Sequence, residues 1–379
     1  MKRTLYISLA ALLCVAGQAN AEGGSVAGGF EASGHVDVVA AYQHSDVDAA
    51  AASNFGGAAG EFLGNNGGAN GDTFGFFIDS VELDIAKSFG ENIRLRADID
   101  FGAFPESSPA QPATGGTIVN LEQAYATTNI GAGNGGEFLV GKFNAPIGFE
   151  PVDRTQLHTV SHGNIFNFVT PSNLTGAKIY YAFGDVVDLN VYVVNSLSSN
   201  LVTVDSALPS VGGRLGFTWG EEGDESTLGI SAAAGPEQND GAAVPVSQNA
   251  HWDLLGDIDF AFQVTENLLI GGEGVYRQRN ALDATVDNAK VLGGELLLNY
   301  AFSEVWDGTF RYDYLNDVDD DTPFFAATAQ TIHAWTLAAG YQIADGAKFK
   351  LEYKFEFVDP QGGNKSDYHA VAVEYAYNF

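Results

Sequence analysis

From Phe30 to the C terminus the chain repeats one pattern: roughly ten residues alternate apolar with polar, a connection intervenes, and the alternation resumes. Side chains on a strand point alternately to its two faces, so an alternating run of this length is a strand with one apolar and one polar face. Sixteen such segments can be read, at about 30–43, 74–87, 92–104, 118–128, 137–147, 176–184, 187–197, 210–219, 226–234, 251–264, 267–279, 290–302, 308–315, 331–343, 347–358 and 368–379. The connections come in two lengths. SFGEN (88–92), GD (184–185), EEGDES (221–226), TEN (265–267) and ADG (344–346) are short, whereas 44–73, 148–175 and 235–250 are long and rich in Gly, Ala, Asn, Pro and Asp. Short and long connections in turn around an even number of strands are what a transmembrane β-barrel requires. The strand length matches the ~9 to 11 tilted residues that cross a bilayer. A soluble multi-sandwich protein is the competing reading, but it has no need of strands this long.

The expected architecture is therefore all-β: one closed antiparallel transmembrane barrel of about sixteen strands. In LRADIDFGAF (95–104) the residues Leu95, Ile99 and Phe101 are expected to face lipid, while Arg94, Arg96, Asp98 and Asp100 line the interior. KFKLEYKFEF (348–357) and WDLLGDIDFAF (252–262) repeat the arrangement, setting Lys350, Glu352, Lys354 and Glu356, and Asp253, Asp257 and Asp259, against apolar partners. Sixteen strands leave room for water inside, unlike eight. The charged face is then expected to be the wet one.

The N terminus carries an address. MKRTLYISLAALLCVAGQANA places Lys2 and Arg3 before a short apolar run and ends in small residues, the layout of a signal peptide (1–21) cleaved before Glu22. Cys14 is the sole cysteine and lies inside that segment, and Leu12 and Leu13 before it are not the small residues of a lipoprotein signal. The mature domain, 22–379, would thus lack thiol chemistry and disulfides. Its net charge moves from −31 to −33 when Lys2 and Arg3 leave, which argues against nucleic-acid binding. At the other end, YHAVAVEYAYNF (368–379) alternates up to a terminal aromatic, Phe379. That ending is similar to the signature by which the barrel assembly machinery of bacterial outer membranes recognises its substrates.

The run FLVGKFNAPIGFEP (138–151), preceded by LEQAY (121–125) and followed by NLTGAKIYY (173–181), resembles the OmpL-like β-barrel porins, a family of outer-membrane diffusion channels. The resemblance implies a multi-pass protein of the Gram-negative outer membrane that passes small hydrophilic solutes or ions. In general porins the loop after the fifth strand folds into the lumen and narrows it. Here that loop is 147–175, unusually rich in apolar and His residues. Glu150, Asp153, Arg154, His158 and His162 are then the expected constriction residues, opposite wall residues Arg94, Arg96, Lys178 and Arg214. Phosphate-selective porins use a dense basic ladder that is missing here, so the expectation is a weakly cation-preferring or broadly permissive channel. A barrel serving as adhesin, scaffold or sleeve for a partner protein is the alternative.

Other signals carry less. Ser161 and His162 are adjacent and would face apart on an extended chain, whereas a nucleophile and its base must touch; no enzyme activity is expected. The seven histidines show no metal-ligand spacing, and NDVDDDTP (316–323) lacks the Gly and Glu of a calcium loop. No metal or cofactor is expected. AAAASNFGGAAGEFLGNNGGANG (49–71) reads as a low-complexity external loop. The expected partners are outer-membrane lipid, small hydrophilic solutes or ions and the barrel assembly machinery; the sequence leaves open whether three barrels associate as a homotrimer.

Overall fold

The computed structural model describes residues 24–26, 29–46, 71–102, 118–131, 135–197, 208–221, 223–238, 250–281, 288–318, 324, 330–360 and 365–379. The signal-peptide reading, Cys14, loop 49–70 and Asp319 to Asp321 lie outside these residues. The first nine strands are β1 (Gly24–Val26), β2 (Phe30–Asp46), β3 (Gly71–Phe89), β4 (Ile93–Gly102), β5 (Ile118–Ile130), β6 (Gly136–Asn144), β7 (Asn173–Ala182), β8 (Val187–Val194) and β9 (Ser210–Trp219). The remaining eight are β10 (Ser226–Gln238), β11 (Ala250–Thr265), β12 (Leu268–Ala281), β13 (Ala289–Ala301), β14 (Trp306–Asp317), β15 (Gln330–Ala344), β16 (Ala347–Pro360) and β17 (Ser366–Asn378).

Strands β2 to β17 pair antiparallel with their sequence neighbours, and β17 pairs back onto β2, closing a sixteen-stranded barrel. The short β1 pairs with the start of β2. Closure answers the demand that lipid makes on a sheet, since an open edge would leave backbone groups unpaired in hydrocarbon. At the seam, the Phe379 amide donates to the Gly34 carbonyl at 2.9 Å and the Gly34 amide to the Phe379 carbonyl at 3.1 Å. Position 34 must be Gly, because a Cβ there would stand 2.1 Å from the Glu82 carbonyl oxygen.

The alternation read from the sequence sorts the two faces as expected. On β16, Phe349, Leu351 and Tyr353 are exposed, whereas Lys350, Glu352, Lys354 and Glu356 are buried. On β4, Leu95 and Phe101 point out and Asp98 points in. Aromatic residues gather near both strand ends, Phe89, Trp219, Trp306 and Tyr341 at the short-turn rim and Tyr42, Phe74 and Trp252 at the other, as interfacial girdles do. No described helix is long and apolar enough to cross a membrane.

Two departures from regular alternation matter. The β2–β3 ladder skips Asp79, and the β4–β5 ladder skips Glu122. A bulge re-aims the extra side chain; both are carboxylates, and both end up buried inside the barrel.

The interior is also less uniformly charged than expected. Leu139, Phe143, Tyr192, Val194, Leu255, Val275, Val291, Leu315, Ile332, Val358 and Tyr368 face inward and form one apolar layer, toward the long-loop end of many of these strands. Alternation fixes which face a residue takes but not whether that face meets water. Part of this one meets protein.

Candidate functional site: the lumen and its inward loop

The connection between β6 and β7 spans 145–172, two to three residues offset from the expected 147–175, because Asn173 to Thr175 pair with Asn144 to Lys142. Pro146 has no amide to donate and stands just past the strand end. The loop does not remain outside. It reaches inward-facing side chains of β12, β14 and β16, and β14 lies eight places round the closed sheet from β6. It therefore crosses the lumen to the far wall, with a single turn of 3-10 helix at Arg154–Gln156 and a five-residue helix, α1 (Asn164–Phe168).

The loop's apolar residues explain part of this path. Ile147, Ile165 and Val169 pack on the inner apolar layer, Phe149 on Ala261, Leu269 and Leu297, and Val160 on Val39, Ala41, Ala370 and Ala372. Left outside, they would form an apolar patch in water. The loop's backbone explains the rest, since each buried amide and carbonyl needs a partner. Wall carboxylates accept from its amides: Glu273 from Phe149 at 3.0 Å, Glu352 from Val160 and Ser161 at 2.6 and 3.0 Å, and Asp313 from Asn164 at 2.9 Å. Wall cations donate to its carbonyls. Lys350 reaches Arg154, Leu157 and Thr159, Arg311 reaches Ser161 and His162, and Arg277 reaches Val169 at 2.6 Å. Gly163 lets the loop pass this close, for a Cβ there would stand 2.0 Å from a Glu295 carboxylate oxygen.

The five expected constriction residues all lie on this loop, but their partners differ from those expected. Glu150 is buried and accepts from the Arg311 guanidinium at 2.7 Å and from the Gly163 amide at 2.6 Å. Arg154 is buried against Asp79 of β3 at 3.1 Å. The His162 ring stacks on Phe166 with centroids 3.8 Å apart and bonds the Pro151 carbonyl through Nε2. Ser161 turns away from it to Glu352, at 2.6 Å, so the two adjacent residues are engaged separately. The His158 imidazole is pushed down to about 4, first by burial and then by Lys348, with Asp307 opposing, and is neutral at pH 7. Asp153 accepts from Gln156, and burial raises its carboxyl above the ordinary range.

The expected wall residues are corrected in the same way. Neither Arg94 nor Arg96 faces Glu150. Arg94 pairs with Glu31 at 2.7 Å beside the short turn after β3, half exposed. Arg96 bridges Asp84 and Asp98 at 3.4 and 2.7 Å. Asp100 accepts from Asn120 at 3.3 Å. Lys178 is buried with its ammonium 5.3 Å from the Phe143 ring centre, and Arg214 grips Asp259, its Nη2 donating at 2.7 Å. Strand alternation identifies the inward face, but which strand a loop residue meets across the barrel depends on closure.

Two sets of inward charges result. On β14, β16 and β17, Arg311, Asp313, Lys350, Glu352, Lys354, Glu356 and Glu374 are all fully buried. On β3 to β5, Asp84 (18 % exposed side chain) and Arg96 (27 %) keep access to solvent, and Asp100, Asn120 and Gln123 are half-buried. The loop leans mainly on the first set; on the other side Arg154 meets Asp79 and Asp153 lies beside Glu82, while Asp84, Arg96 and Asp100 stay partly open. Arg311, Lys350 and Lys354 are legible as inward residues from their alternation, but their role in holding the loop is not.

Comparison with known proteins agrees with the barrel fold. The outer membrane channel DcaP of Acinetobacter baumannii superposes with a TM-score of 0.68 at 16% identity, over 94% of this chain and 99% of that one. An anion-selective porin from Comamonas acidovorans gives 0.58 at 14% identity, over 92% and 99%. OprB of Pseudomonas putida gives 0.56 at 12% identity, over 92% and 94%. At these identities the likeness is one of fold. No curated protein matches the sequence. A family model does, over residues 29–379: the protein belongs to the family described as Putative beta-barrel porin-2, OmpL-like.

Proposed function

We propose that the protein is a passive diffusion channel for small hydrophilic solutes and ions, weakly selective for cations, with the loop 145–172 as its constriction. The observation that carries the reading is the asymmetry of the lumen wall: the charges of β14, β16 and β17 are spent on the loop, whereas those of β3 to β5 stay partly open. On that side Asp84 and Asp100 stand partly open with Arg96, beside the buried Glu82, Asp98 and Glu122. An acidic lining in a confined aqueous path raises the local concentration of cations. Anion selectivity belongs to the Comamonas acidovorans porin by its description, and the acidic side here argues for the opposite sign.

The test is single-channel recording from purified protein in a planar bilayer under a salt gradient. Stepwise ohmic conductance with a reversal potential on the cation side supports the proposal. An adhesin or sleeve would give no steps, and a reversal potential on the anion side would reject the selectivity. Trimeric association draws support from a Vibrio cholerae OmpT structure described as the trimer form, TM-score 0.52, and light scattering of the detergent complex decides it.

A further inference from the structure

Where the loop meets the β2–β5 wall, two groups of side chains converge on Glu82. His35, Glu82 and Asp153 each present a nitrogen or oxygen within 4.8 Å of the others, and so do Glu82, Asp100 and Glu122. Asp84 and Asp98 have Arg96 as counterion. Lys142, whose charge also acts on Glu122 and Asp100, commits its ammonium to the Leu121 carbonyl at 2.7 Å. Glu82 and Glu122 are each 3 % exposed, yet Glu82 Oε2 and Glu122 Oε1 have no hydrogen-bond partner. A bulge is used to turn Glu122 inward to this position. Buried carboxylates without partners are costly, and a cation among them removes the cost.

The outer contacts are those of ligands held in place. His35 Nε2 bonds Ser80 Oγ at 2.9 Å, which leaves Nδ1 facing Glu82 Oε1 at 3.8 Å. That gap is too long for a hydrogen bond and fits two ligands of one ion, each bonded at about 2.0–2.2 Å. Gln156 orients Asp153 through one oxygen. Partners of this kind fix the tautomer of a ligating His and the pose of a ligating carboxylate.

We propose that the lumen of this protein contains a metal site in which His35 Nδ1, Glu82 and Asp153 hold one divalent transition-metal ion of the zinc type, tying the loop to the barrel wall. One imidazole with two carboxylates suits Zn2+ over Ca2+ or Mg2+, which seek oxygen alone. The Glu82, Asp100 and Glu122 group is the all-oxygen neighbour that would take a hard cation instead. Asp153 is the sole loop residue in either group, so occupancy of the His35 group also pins the loop.

The experiment is calorimetric titration of chelator-washed, folded full-length barrel in detergent with Zn2+, Mn2+, Ca2+ and Mg2+, repeated on His35→Gln, Glu82→Gln, Glu122→Gln and Asp153→Asn. One Zn2+ per chain is expected, weakened at least thirtyfold in His35→Gln and Asp153→Asn, lost in Glu82→Gln and changed less than threefold in Glu122→Gln. Zn2+ is also expected to slow proteolysis within loop 145–172 in the wild type and not in Asp153→Asn. Asp153 lies outside every strand ladder, so that variant keeps the test valid if a wall variant misfolds. Absence of stoichiometric Zn2+ binding overturns the proposal. So does Zn2+ binding indifferent to His35→Gln and Asp153→Asn, or a preference for Ca2+ that only Glu122→Gln abolishes.

Discussion

Replacing Arg311 with Met isolates the grip of the barrel on its loop. The guanidinium is fully buried and makes contacts to Glu150 (2.7 Å), Asp313 (3.1 Å), the Thr159 hydroxyl (3.0 Å) and the carbonyls of Ser161 (2.7 Å) and His162 (2.9 Å). Met has similar length and no charge, so the cavity stays filled while Glu150 and Asp313 lose their cation. Breaking a buried pair by removing one partner costs about 3–5 kcal/mol. At 1.4 kcal/mol per factor of ten, the ratio of docked to released loop falls by about a hundredfold to a few thousandfold. The ladders of β14 with β13 and β15 use backbone groups alone, so the barrel itself is expected to stay folded, read as an unchanged β-sheet signal by circular dichroism. Conductance is expected to rise and grow noisy, and protease is expected to cut within 145–172. Glu150→Gln, which leaves Arg311 with Asp313, is expected to do the same more weakly. An Arg311→Met channel with wild-type conductance and a protected loop would refute the reasoning, for it would mean that the loop is not held from β14.

Arg96→Gln should move the reversal potential further toward cations, because Arg96 is the partly exposed cation of the open wall; a similar shift from Lys350→Gln, fully buried against Glu374, would argue that the path runs elsewhere. Deleting Phe379 removes both seam hydrogen bonds to Gly34 and should lower outer-membrane levels several-fold in fractionation blots, with secretion intact; unchanged levels would count against its role in assembly. His158 has a folded pKa, about 4, below its free value near 6.5. The released loop therefore binds more protons than the docked one between these values. Docking is at full strength above about pH 6.5 and weakens as pH falls toward 4, so proteolysis of the loop should rise over that window in the wild type and stay flatter in His158→Gln. Edman sequencing of outer-membrane material should begin at Glu22, and an N terminus at Met1 would reject cleavage.

The alternation of sixteen segments and the two classes of connection determine the barrel before any coordinate is known, because a strand that alternates for ten residues between tight turns has few other ways to satisfy its backbone and both its faces. Observed strand limits sit within a few residues of those read from the sequence, and inward residues such as Arg311, Lys350 and Glu352 are legible from period two alone. The family resemblance, carried by residues 121–181, also pointed to the inward loop. What stayed hidden has one physical origin: periodicity reports the face a side chain takes, not its neighbour across a closed sheet. Glu150 was expected to face Arg94 and Arg96, and instead meets Arg311 from the opposite wall. The inner apolar layer shares its face with the charged residues and becomes a seat for the loop only once the loop has crossed. Asp79 and Glu122 break the period at bulges, so alternation gives no reliable face for either. His35, Glu82 and Asp153, distant in sequence, come within ligand distance only because β2 and β3 are paired and the loop lies against them. Local sequence determines the strands and their faces; closure of the sheet and the path of one loop decide which partner each inward charge meets.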